Sequence, residues 1–274
     1  MINMPKNYAF DKLYKIYDNK EKIMEKDMKV NKEWLEVYNK KKSIMCPENS
    51  LEKYFTDRKI AGCKIDTLEL GNIKITSGEI VACDPTACLD NGVSPFFDTF
   101  PKGEFPVTAS IVVDEEEEMA SPIALVRIKF TDNVPVSYRE ALYGDEDLSE
   151  IENQGDFFGI IVDTGLACFI DRDGYNVLAE ELTKREEADE DFDAYTDIYS
   201  IELEKSAKKH PKYQYPDGDW VNYSINEKNN AVLFSSPYGE GYYPVYVAED
   251  KDGNICQLVI QFIDVELSDD EDDE

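Results

Sequence analysis

The sequence is poorest in histidine: His210 is the whole imidazole supply of its 274 residues. A Ser-His-Asp machine would rest on that one ring, which stands beside Lys208, Lys209 and Pro211 with no partner in sequence. It reads as an exposed helix-end residue near terminal carbonyls. The six cysteines, at 46, 63, 83, 88, 168 and 256, form no C-x-x-C. A zinc site of the usual Cys/His spacing is therefore not expected. The cysteines around Ile80, Cys83 and Cys88, read as buried small hydrophobes in a reducing compartment. No G-x-S-x-G elbow and no G-K-[ST] phosphate loop is present. No apolar run approaches the roughly 20 residues that span a bilayer. A charged segment without an apolar h-region follows Met1, so a cytoplasmic protein is expected.

Basic side chains are also scarce, 29 against 59 acidic, for a formal charge of −30. Residues 1–60 hold 14 basic and 10 acidic groups, leaving 15 and 49 for the rest. The acidity belongs to the main body. Such a body repels phosphate backbones and anionic membranes, so neither nucleic acid nor membrane is an expected partner. Its field attracts basic proteins, although carboxylates also serve plain solubility.

What is present is an amphipathic start and a β-rich remainder. Leu13, Ile16, Tyr17, Met24, Met28, Trp34, Leu35 and Tyr38 recur at helical spacing across 9–42, with Asp27 or Asn31 able to cap a second helix. A short helix is expected over 50–57 with Ser50 as N-cap. Gly71-Asn72 and Ser77-Gly78 punctuate short strands, and 79–83 reads as another. Residues 103–113 and 123–130 form a hairpin tipped by the carboxylate run 114–118. A short helix is expected over 135–143, strands over 157–162 and 166–170, and helix over 176–209. Strands return at 220–224, 231–234, 242–248 and 255–264, with Asp252-Gly253 as a hairpin turn. The fold class is α+β: an antiparallel β-sandwich-like core with an N-terminal helical segment and helical insertions. The organisation is 1–59 helical, 60–267 a β-rich domain with a helical insertion near 176–209, and 268–274 an acidic disordered tail.

Asp84, Asp163 and Asp171 each end a strand, and with Glu240 they are the candidate catalytic carboxylates for acid/base or metal-assisted chemistry. The alternative for such residues is Asx turn formation. Asp171-Arg172-Asp173-Gly174-Tyr175 and Asp250-Lys251-Asp252-Gly253-Asn254 each match only the start of a calcium loop. Both read as D-G hairpin turns, and no metal or cofactor is expected. The cluster from Ser235 to Tyr243 combines glycines with Tyr238, Tyr242 and Tyr243 around Glu240, a surface suited to binding. Glu115, Glu116 and Glu117 are binding candidates through charge.

Four blocks carry a family resemblance: Gly78 to Pro85, Phe100 to Val107, Phe158 to Asp171, and Gly239 to Tyr246. Together they resemble the bacterial domain of unknown function 4241 family over about residues 60–265. The sequence departs from that pattern at Glu240, where the family more often carries Gly-Asp-Gly, and at Lys102, which replaces a Pro. The resemblance implies a β-rich bacterial cytosolic protein found in company with toxin-immunity or phage-defence modules. The functional expectation is a non-enzymatic acidic binding protein, an immunity-type or defence-associated neutraliser of a basic protein. The alternatives are a carboxylate-dependent hydrolase and a nucleic-acid mimic.

Overall fold

The computed structural model describes residues 30–86 and 92–267. Helix α1 (Lys32–Lys41) is capped by Asn31, whose side chain accepts from the Glu33 N–H. The rest of the helix expected over 9–42, the residue Cys88 and the expected tail at 268–274 lie outside the described residues. Helix α2 is one turn (Lys53–Thr56), and its N-cap position falls to Glu52 without a side-chain bond, not to Ser50.

Thirteen strands follow among the described residues: β1 (Lys59–Ile60), β2 (Cys63–Ile75), β3 (Ile80–Cys83), β4 (Gly103–Val112), β5 (Ile123–Lys129), β6 (Ser137–Glu140), β7 (Ile160–Val162), β8 (Leu166–Asp171), β9 (Trp220–Ser224), β10 (Asn230–Ser235), β11 (Gly241–Tyr243), β12 (Val245–Glu249) and β13 (Ile255–Gln261). Between β8 and β9 run α3 (Arg172–Ala188), a π-turn (Tyr195–Tyr199) and α4 (Ser200–Lys209). All pairings are antiparallel, in a seven-stranded sheet β1-β2-β4-β5-β13-β12-β6, a four-stranded sheet β3-β8-β10-β9 and a ribbon β11-β7. Among the described residues no helix is long and apolar enough to cross a membrane.

Three sequence expectations are corrected. Gly71-Asn72 does not end a strand: β2 runs on through a bulge between Glu69 and Gly71. Gly71 is required there, with φ +91° and the Asn222 amide 2.7 Å from where a Cβ would be. Residues 135–143 are not helical, because Ser137–Glu140 is recruited as β6 along β12. Asp171 to Tyr175 is not a hairpin turn: Asp171 ends β8 and caps α3, accepting from the Asp173 N–H. The Asp252-Gly253 hairpin forms as read, closed by Asp250 N–H to Asn254 O at 2.9 Å.

Alternation explains the layers. Val107, Ala109, Ile128, Leu258 and Ile260 of the large sheet join Ala82, Phe169, Val232 and Phe234 of the small sheet in one hydrophobic cluster. The small sheet's other face, with Val81, Cys168, Ile170 and Leu233, packs on Tyr175, Leu178, Leu182, Tyr199 and Leu203 of the helices. Tyr38, Met45, Leu142, Leu148 and Ile151 form a third cluster that anchors the N-terminal segment. The loop after α4 is tied to β2 through Asp66, which accepts from Lys212 Nζ at 2.7 Å and Tyr213 OH at 2.9 Å. Burial alone would raise the Asp66 pKa, but bonds from Lys212, the Thr67 amide and Tyr213 bring it down to about 2 from 3.8.

Two outcomes are expected. Phe169 is fully buried with its ring 5.4 Å from that of Phe234, so F169A should cost about 3–5 kcal/mol in urea unfolding. A depressed carboxylate stabilises above its unfolded pKa, here 3.8, and that stability is lost as pH falls through the folded value of about 2. Acid titration followed by circular dichroism should therefore show a loss in that window that D66N no longer shows.

Candidate functional site

The three carboxylates that end strands divide between two places. Asp84, the residue after β3, is fully buried. One carboxylate oxygen accepts from the Thr86 amide at 2.8 Å and the Thr86 hydroxyl at 2.7 Å. The other accepts from the Asp163 amide at 2.9 Å, the Thr164 amide at 2.7 Å and the Thr164 hydroxyl at 2.8 Å. These donors take up the roughly four lone-pair directions of a carboxylate. The side chain is a clasp, pinning the β7–β8 turn to the end of β3.

That turn carries the second contact. Gly165 has φ +80°, and a Cβ there would lie 3.5 Å from Gly239 Cα. The Ser236 amide donates to Gly165 O at 2.9 Å, while the Ser236 hydroxyl and Tyr243 OH both donate to Gly239 O, at 2.7 and 3.1 Å. Pairing of β11 with β7 sets Tyr242 opposite Ile161 and Tyr243 opposite Ile160. Asp84, Asp163, Tyr238, Glu240, Tyr242 and Tyr243 are thus brought to one end of the molecule. The carboxylates of Asp163 and Glu240 are exposed there, and Tyr238 is 57% exposed beside them. Tyr242 is half-buried and Tyr243 buried. Burial raises the Tyr243 pKa, so its hydroxyl is a donor.

Asp171 does not join them. The β3–β8 register sets Asp171 opposite Ile80 and Cys168 opposite Cys83. Asp84 is four residues beyond Ile80, about 13 Å along the strand. Asp171 is also fully buried and also clasps: it accepts from the Thr76 amide and hydroxyl at 3.1 and 2.8 Å and from the Ser77 amide and hydroxyl at 3.0 and 2.6 Å. Among the described residues no group of three or more His, Cys, Asp or Glu could hold a metal ion. Between the two clasps the thiols of Cys83 and Cys168 lie 3.8 Å apart. His210 is exposed at the end of α4, its ring 5.3 Å from that of Trp220.

Glu115, Glu116 and Glu117 belong to the large sheet, on the β4–β5 tip, where residues 114–119 are all exposed. Asp114 folds the tip by accepting from the Glu116 and Glu117 amides at 2.8 and 2.9 Å, which lowers its pKa. The tip's carboxylates project into solvent.

Sequence reasoning missed the partners of both clasps: Thr86, Thr164, Thr76 and Ser77. A Thr two residues beyond Asp84 was a readable Asx-turn signal; Thr164 and Thr76 come from distant segments and carried none. It also missed a groove of about 570 Å³ between residues 42–50 and 135–139. The alternation Val134, Val136, Tyr138 marked its strand.

D84N would place an amide donor against the backbone amides of Asp163 and Thr164. It should lower stability by about 2–3 kcal/mol, whereas E240Q, at an exposed position, should stay within about 0.5 kcal/mol. Paired urea titrations check both values.

The family model described as "Protein of unknown function (DUF4241)" matches residues 73–260, a narrower span than the 60–265 of the resemblance. No curated protein and no solved structure matches the chain.

Proposed function

The chain belongs to the DUF4241 family, and from that premise we propose that it is a non-enzymatic acidic binding protein whose partner is a basic protein, in the manner of an immunity or defence-associated neutraliser. The observation that carries this reading is the placement of the −30 charge. The β4–β5 tip is exposed throughout 114–119, and at the end of α3 the acidic residues Glu187, Asp189, Glu190, Asp191 and Asp193 are exposed as well. Such runs steer a cationic partner and raise its association rate. Tyr238 and Tyr242, beside Glu240 on the loop that bonds to the Asp84-held β7–β8 turn, supply amphipathic contact area.

The carboxylate-dependent hydrolase is the weaker reading. Asp84 and Asp171 spend their lone pairs on backbone amides and hydroxyls, which leaves Asp163 and Glu240 as the accessible acids. Two further parts of the proposal concern setting and architecture. Thiols held at 3.8 Å suit a reducing, cytoplasmic compartment. The core shared by the seven- and four-stranded sheets supports a sandwich-like fold with the helices between β8 and β9 as an insertion.

Cross-linking the full chain in extract of its native host at low salt should recover a partner of basic isoelectric point. Its association rate should fall about tenfold or more between roughly 50 and 300 mM salt. The triple variant E115Q/E116Q/E117Q should slow association several-fold and leave dissociation nearly unchanged. A neutral partner bound independently of salt, or a hydrolytic activity abolished by D163N, would overturn the proposal.

A further inference from the structure

The seven-stranded sheet ends at β6, and part of its outer edge is open. Antiparallel pairing alternates inward and outward backbone groups. The Ala141 amide donates inward to Val245 O at 2.7 Å, and the Glu140 amide donates outward to Met45 O at 2.8 Å. The same alternation turns the N–H and C=O of Tyr138 outward, and among the described residues the facing segment 42–50 does not bond them. They face the groove of about 570 Å³ that separates that segment from β6. Val136, which lines it, is 65% exposed.

We propose that this groove is a strand-addition site, which takes an extended basic segment of the partner and pairs it with the backbone of Tyr138. The inference rests on the basic-partner reading above and says where and in what conformation the partner is held. An exposed edge recruits a strand through main-chain bonds, and side chains on alternate positions read the neighbouring surface. Here the guest would lie between β6, with Val136 beside it, and the wall at 42–50. Arg139 does not oppose a cationic guest, because Asp98 holds it bidentately at 2.7 and 2.8 Å and Glu249 binds it at 2.9 Å. The groove's own charged residues, Lys42, Arg139, Glu48 and Glu249, cancel, so the attraction on a cationic guest comes from the whole body at −30. A second copy of the chain is disfavoured on two grounds. Two bodies of charge −30 repel. The Glu140–Met45 bond also holds residues 42–50 against part of this edge, in the path of a second sheet.

The test uses the full chain and two capped octapeptides of equal charge, one alternating Val and Lys, the other alternating Pro and Lys. The Pro peptide lacks half of the amides that a strand needs. The Val-Lys peptide should bind about tenfold more tightly and protect the Tyr138 amide from hydrogen exchange. S43W, which fills the groove from its exposed wall, should remove that preference and that protection without altering β6. Equal binding of the two peptides with no protection at Tyr138 would overturn the strand-addition site while leaving the basic-partner reading intact. Binding of neither would overturn both. A dimer in sedimentation that protects Tyr138 without peptide would assign the edge to a second copy instead.

Discussion

Two buried carboxylates at opposite ends of β3 set the terms for the rest of the molecule. A carboxylate taken out of water must be met by donors, and backbone amides at turns must find acceptors. Asp84 and Asp171 satisfy both demands together. Asp84 closes the β7–β8 turn, and that turn in turn supports the glycine-tyrosine loop through Gly165 O. Asp171 gathers the Thr76-Ser77 bend and starts α3, which covers the outer face of the small sheet. Four residues of strand thus coordinate a turn, a bend, a helix and the loop that presents Glu240.

This arrangement assigns the acids of the chain to different work. The buried Asp84 and Asp171 are structural, because amides and hydroxyls engage both oxygens of each. Those outside, on the β4–β5 tip, beyond α3 and at Asp163 and Glu240, shape the field around the protein. Under the proposed binding function, this division lets charge act at long range and backbone and aromatic contact at short range.

Much of the β pattern was legible because local signals agreed with the final pairing. The β4–β5 hairpin has alternation on both arms and a charged tip, and Asp252-Gly253 sits at a tight turn. The failures share one cause. At Gly71 the glycine that reads as a turn is a bulge, needed by Asn222 from a distant strand. At 135–143 pairing with β12 overrode composition, and at Asp171 to Tyr175 a hairpin signal was a helix cap. The candidate site was legible as a set of residue types. Its roles were not, because the donors that occupy Asp84 come from Thr164, eighty residues away in sequence.

The bond from the Glu140 amide to Met45 O has a consequence for how the chain is assembled. Residues 30–57 precede the span of the family match, yet they furnish the wall that shields β6. Without them Ser137–Glu140 would offer a whole unguarded strand edge to any passing chain, its own copies included once salt had screened their repulsion. By this contact the lead segment covers part of an edge through which copies could otherwise pair.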